Sequence, residues 1–82
     1  MASEHTVEAQ LPGVFYRRPS PEADEYVKEG DKVSAGDTLG LIELMKSYHE
    51  VKADASGKVK KFLIENEGEV QPGEGIAVLL SE

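Results

Sequence analysis

Lys46 is the residue of this 82-residue chain best placed to do chemistry. A lysine amine is a nucleophile when neutral and a hydrated point charge when protonated. Its setting is Glu43-Leu-Met-Lys46-Ser47, with a carboxylate three residues before the amine and a hydroxyl directly after it. Other reactive chemistry is sparse. The chain has no cysteine, which excludes disulfides and a Cys/His zinc staple. The histidines His5 and His49 stand far apart in sequence, and no nucleophile–base pairing can be argued for either. A catalyst in its own right is therefore not expected, nor is a metal site. The plain alternative for Lys46 is a solvated lysine on a turn, which is what most surface lysines are.

The flanking residues say how Lys46 is positioned. An apolar run, Leu39 to Leu44, leads up to Met45-Lys46, and Tyr48 to Val51 leads away. Two arms that suit a pleated surface, joined by about two residues, predict a β-hairpin with Lys46 at its tip. The tip lacks the Asn-Gly or Asp-Gly pair that eases positive φ, so Met45 and Lys46 sit there at a small conformational cost. Something other than turn propensity has chosen them.

A chain of this length is one small domain held by apolar packing alone. No run approaches the roughly 20 apolar residues of a membrane span. The N-terminus lacks the basic and apolar regions of a secretory signal. The net charge of −7 repels phosphate backbones and anionic lipid, so neither nucleic acid nor membrane is an expected partner. Absence of cysteine fits a reducing, cytoplasmic setting.

Residues 1–6 are polar and are expected to fray as a flexible N-terminus, with the folded domain spanning 7–82. Short strand-like runs follow at Val7–Leu11, Val14–Tyr16, Glu25–Val27, Val33, Leu39–Leu44, Tyr48–Val51, Lys58–Ile64 and Ile76–Leu80, with Gly, Pro, Asn and Asp between them. That punctuation predicts an all-β sandwich or barrel. Phe15 and Tyr16 are expected in the core. Arg17 to Glu25 holds Pro19 and Pro21 and cannot be a strand. Ser20-Pro21-Glu22 has the form of a helix N-cap followed by Pro, so a single helical turn is expected over Ser20 to Glu25.

The chain also repeats itself. Shifted by 37 residues, Val27 meets Ile64, Val33 meets Val70, Gly36 meets Gly73, Leu39 meets Ile76, Leu41 meets Val78 and Ile42 meets Leu79. Upstream, Pro12-Gly-Val-Phe15 pairs with Ser56-Gly-Lys-Val59 at a shift of 44. The difference of seven residues identifies the proline loop as an insertion into one of two similar halves. Two such halves predict two layers related by a pseudo-twofold axis. Under the same shift Lys46 corresponds to the chain termini, so its tip is expected at the opposite end of the sandwich from them.

Glu43-Leu-Met-Lys46 resembles the Glu-Ala-Met-Lys-Met attachment motif of biotin carboxyl carrier domains. Val14-Phe-Tyr-Arg-Arg-Pro-Ser-Pro21 is similar to the Thr-Phe-Tyr-Arg-Ser-Pro-Ser-Pro stretch of bacterial acetyl-CoA carboxylase carriers. Gly30-Asp-Lys-Val33, Gly36-Asp-Thr-Leu39 and Ala53-Asp-Ala-Ser-Gly-Lys-Val59 follow the same pattern. The likeness runs from about Leu11 to the C-terminus. It implies a flattened β-barrel of two four-stranded antiparallel sheets with pseudo-twofold symmetry. It implies biotin in amide linkage on Lys46, with Glu43, Met45 and Ser47 around it. The insertion at Arg17 to Glu25 would be the family's thumb, with Pro19, Ser20, Pro21 and Glu22 shaping it. The implied partners are a biotin protein ligase, a biotin carboxylase subunit and a carboxyltransferase subunit, between which the carrier shuttles a carboxyl group toward acetyl-CoA. The family pattern has a small residue where Leu44 stands and often Met where Ser47 stands. Two alternatives remain open. A lipoyl domain uses the same fold and tip, although it usually has Asp before the lysine. A carrier-like module could also dock without being modified.

Overall fold

The structure, a computed structural model, describes residues 3–81. Eight strands and no helix are formed among them: β1 (Glu4–Glu8), β2 (Gly13–Tyr16), β3 (Lys32–Val33), β4 (Thr38–Leu44), β5 (Ser47–Lys52), β6 (Gly57–Phe62), β7 (Gly68–Val70) and β8 (Gly75–Leu80). They make two four-stranded antiparallel sheets, as expected. We call β5-β4-β2-β7 the tip sheet and β1-β8-β6-β3 the terminal sheet.

The repeat in the sequence becomes a pseudo-dyad that exchanges the sheets. The swap β1↔β5, β8↔β4, β6↔β2 and β3↔β7 turns one strand order into the other. Register follows residue by residue. Glu43↔Tyr48 in the tip sheet matches Leu80↔Glu4, and Ile42↔His49 matches Leu79↔His5. Each of these two pairings carries an irregularity at its far end, Thr38/Gly40 in one and Val7/Glu8 in the other. The turns correspond as well. Gly36 donates to the Ala53 carbonyl at 2.7 Å and Gly73 to that of Ala9 at 2.8 Å. Both glycines have positive φ, 97° and 90°, which only glycine adopts without strain. The glycines of the preceding turns are offset by one position, and the geometry shows why. The equivalent of Gly30 is Glu67, which itself takes a positive φ of 67°.

Between the sheets lies the core: Phe15, Leu39, Ile42 and Val51 from one sheet, Val7, Val59, Ile76 and Leu79 from the other. Among the described residues no charged or polar residue is buried with them. Strand alternation sends Phe15 inward and its neighbour Tyr16 outward. Tyr16 is thus half-buried on the outer face, not in the core as expected.

Three expectations about elements are corrected. The first strand begins at Glu4, because pairing with β8 and the Ser81 N–H bond to the Ser3 carbonyl at 2.8 Å order residues that look polar and loose in sequence. Met1 and Ala2 lie outside the described residues. The helical turn expected over Ser20 to Glu25 is reduced to one β-turn. The Ala23 N–H reaches only the Ser20 carbonyl at 3.1 Å, a single turn, before the chain doubles back. Glu25 to Val27 is not a strand, since the Tyr26 N–H is spent on the Arg17 carbonyl at 2.9 Å, closing the loop instead of joining a ladder.

Phe15 is fully buried at the centre of the core. Phe15→Ala is expected to lower unfolding free energy by about 3–5 kcal/mol, read from urea midpoints with an unchanged slope.

Candidate functional site

The β4–β5 hairpin positions Lys46 as its sequence predicts. Leu44 and Ser47 are the last cross-strand pair, leaving Met45 and Lys46 as a two-residue turn. Both have positive φ, 51° and 65°, the pattern of a type I′ hairpin. That turn matches the right-handed twist of its strands, which is why two non-glycine residues are held in it. Met45 is 90% exposed and Lys46 is exposed. Lys46 makes no hydrogen bond or ion pair among the described residues, so its stem and amine project free of the fold.

Behind the tip, Glu43 is tied down. The Tyr16 hydroxyl donates to Glu43 Oε1 at 3.0 Å. This bond, with burial and the carboxylate charge adding to it, raises the Tyr16 phenol above its ordinary value. The Tyr48 ring lies 6.4 Å from that of Tyr16, so Tyr16, Glu43 and Tyr48 form one cluster below the lysine. Sequence alone signalled Glu43 but not Tyr16. Period-two alternation from the inward Phe15 was the available signal.

The proline insertion folds against the same sheet. Its base is closed by the Tyr26–Arg17 backbone bond and by Asn66 Oδ1, which accepts from the Arg17 N–H at 2.8 Å. Arg17 Nε lies 3.1 Å from the Glu25 carboxylate, an ion pair without hydrogen-bond alignment, and the Arg17 guanidinium sits 4.1 Å above the Phe62 ring. Between this loop and the sheet runs a groove of about 520 Å³, lined by Arg18, Pro19, Ser20, Pro21, Tyr16, Leu41, Tyr48, Asn66 and Glu67. Pro19, Ser20 and Pro21 are thus brought beside the cluster, while Glu22 is exposed on the loop and does not line the groove. Ser47 is exposed beside Lys46.

The histidines take dyad-equivalent places opposite Leu79 and Ile42. His5 Nε2 lies 2.6 Å from Asp54 Oδ1 and His49 is exposed; among the described residues neither is hydrogen-bonded to a nucleophile. No group of three or more His, Cys, Asp or Glu side chains that could hold a metal ion occurs among the described residues.

Two outcomes follow from this geometry. Met45→Gly should raise stability by about 1 kcal/mol, because glycine takes positive φ without strain, and a urea midpoint would register it. The Tyr16–Glu43 bond stabilises the fold while the phenol is protonated. Its contribution is complete below about pH 10, the ordinary value of an unfolded tyrosine, and is lost as pH rises through the higher folded value. The urea midpoint of Tyr16→Phe should therefore trail that of the parent by a constant margin below about pH 9, and the gap should close in more alkaline buffer.

Comparison with known proteins bears on what such a site is for. A family model described as biotin-requiring enzyme matches residues 5–79. The chain is 40% identical, over 94% of its length, to the biotin carboxyl carrier protein of acetyl-CoA carboxylase of Haemophilus influenzae, and it spans half of that relative. Among solved structures it superposes with a TM-score of 0.79 and 25% identity on a single-chain, multi-domain long-chain acyl-CoA carboxylase, covering 96% of this chain and 7% of that one. On the urea carboxylase of Kluyveromyces lactis the TM-score is 0.76 at 32% identity, covering 94% and 6% respectively. The hairpin lysine, the two dyad-related sheets and a family match over nearly the whole chain together make this protein a member of the biotinyl/lipoyl attachment family of biotin-requiring enzymes.

Proposed function

We propose that this chain is a biotin carboxyl carrier, a non-catalytic unit bearing biotin on Lys46 and passing a carboxyl group from a biotin carboxylase to a carboxyltransferase. The observation that carries this reading is the free Lys46 amine at a positive-φ turn, flanked by Glu43, Met45 and Ser47. The curated relatives it resembles are named as the carrier of acetyl-CoA carboxylase, which favours biotin over a lipoyl group and acetyl-CoA as the acceptor. We take the whole strand-forming part of the chain as one carrier domain, acting in the cytoplasm.

The residues present suit the group. The amine at the apex is the acyl acceptor. The groove two residues beyond it offers the flat apolar walls of Tyr16, Leu41, Tyr48, Pro19 and Pro21, with polar Ser20 and Asn66 among them. When attached, biotin supplies a ring nitrogen able to carry carboxyl. The chain's own part begins with Lys46. Its Nζ, once the ligase has removed a proton, attacks the acyl carbon of biotinyl-adenylate, forming the amide as AMP leaves. Thereafter the hairpin holds the attachment point on a rigid scaffold, and tethering replaces diffusion between two active sites by a high effective concentration. Glu43, held by Tyr16, presents a fixed carboxylate to the enzymes that approach.

Intact mass after incubation with a biotin protein ligase, biotin and ATP tests the assignment. One biotinoyl increment is expected on the parent and none on Lys46→Arg. An increment retained in Lys46→Arg, or lipoylation in its place, would sink it.

A further inference from the structure

The pseudo-dyad singles out one residue whose backbone the fold alone does not explain. The turns before β3 and β7 are equivalent. Gly30 donates to the Val59 carbonyl at 2.7 Å, and Glu67 donates to that of Phe15, the dyad mate of Val59, at 2.6 Å. Both donors have positive φ, 96° at Gly30 and 67° at Glu67. Glycine takes this conformation freely. A glutamate takes it at a conformational cost that its dyad mate avoids, and such a cost points to a residue kept for its side chain. Packing does not account for that side chain, because Glu67 is exposed. It makes no ion pair among the described residues. It does line the groove between the proline loop and the tip sheet. The Tyr16 phenol in the same groove, raised chiefly by its bond to Glu43, is raised further by the Glu67 charge.

The groove therefore holds an unpaired carboxylate. From the loop it also holds a donor without an acceptor, since Arg18 Nε is buried and unpartnered. The Arg18 guanidinium has a counter-charge in Glu25 at 4.0 Å; Glu67 has none. A cyclic urea such as that of biotin presents one carbonyl acceptor between two N–H donors. Arg18 suits the carbonyl and Glu67 suits an N–H. Carboxylation of a ring nitrogen replaces its N–H by N–CO₂⁻, so a donor is lost and an anion takes its place. Facing Glu67, that change turns attraction into repulsion, between apolar walls where water screens it less than in bulk.

We propose that Glu67 makes this groove selective for the charge of the biotin ring: it retains the uncarboxylated ring and turns the carboxylated ring out, so that the loaded arm is the one free to travel. The proposal rests on Lys46 being the biotin attachment residue. Tyr48, one wall of the groove, stands two residues from Lys46 on β5, about 7 Å along the strand and within the length of an extended lysine–biotin arm.

The test is the NMR spectrum of the full chain in three states: unmodified, biotinylated, and biotinylated with the ring kept carboxylated by a biotin carboxylase, MgATP and bicarbonate. The ring signals of Tyr16 and Tyr48 and the side-chain amide of Asn66 report on the groove. In the parent they should move on biotinylation and return toward their unmodified positions on carboxylation, as occupancy of the groove falls about tenfold. Glu67→Gln keeps an acceptor for the N–H and removes the charge, so its groove signals should stay moved, with occupancy within about twofold in the two biotinylated states. Glu67→Gly should also abolish the response to carboxylation and, by relieving the backbone, raise the urea midpoint. Groove signals that ignore biotinylation would overturn the proposal while leaving Lys46 as the attachment site. So would a parent and a Glu67→Gln variant that respond alike to carboxylation, or a lower urea midpoint in Glu67→Gly. A parent that takes up no biotin would overturn both readings.

Discussion

Contact between the two inner sheet faces, Phe15, Leu39 and Ile42 packed with Val59, Ile76 and Leu79, holds the rest of this molecule in place. With no cysteine, nothing else can staple a domain of this size. The hairpin that presents Lys46 depends on it directly. Ile42 in β4 and Val51 in β5 plug into the core, so both arms are anchored before the chain reaches the turn. Residues such as Met45 and Lys46 persist at positive φ only where the surrounding structure over-determines them. Here the anchored arms and their continuous pairing from Gly40↔Val51 to Leu44↔Ser47 supply that constraint.

The same backbone is used twice, and the comparison of its copies separates what the fold needs from what the site needs. Inward positions match across the dyad: Ile42 with Leu79, Leu39 with Ile76, Phe15 with Val59. The last cross-strand pair of the hairpin, Leu44 and Ser47, has its dyad counterpart in Ser81 and Ser3, whose hydroxyls lie 2.7 Å apart. The site-bearing half differs by the proline loop and the Tyr16–Glu43–Tyr48 cluster. These are departures from symmetry that packing does not explain.

Contacts at its base hold the loop. Arg17 bridges most of them, through its carbonyl to Tyr26, its N–H to Asn66, its guanidinium to Phe62 and its pairing with Glu25. The arrangement fixes where the loop leaves the sheet while leaving Pro19, Ser20 and Pro21 to form the groove wall. Proline at both positions limits the conformations available to a segment with little packing of its own.

Much of this was legible in the amino-acid order. Gly and Pro spacing marked the strands, the shifts of 37 and 44 residues marked the two halves and the insertion, and the absence of turn residues at Met45-Lys46 marked the tip. These are local or periodic signals, and covalent order carries them directly. The start of β1 at Glu4 was not legible, because those residues become a strand only through β8, more than seventy residues away. The helical turn expected at Ser20 failed for a similar reason: Tyr26 and Glu25 turn the chain back to Arg17 before a helix can propagate. Tyr16 is expected in the core, yet which face it takes depends on the phase set by Phe15. The strand pattern, the doubled architecture and the lysine at the turn are set by the order of residues alone. The Tyr16–Glu43 bond and the groove walled by the proline loop arise only in three dimensions, since each joins residues from strands or loops distant in the chain.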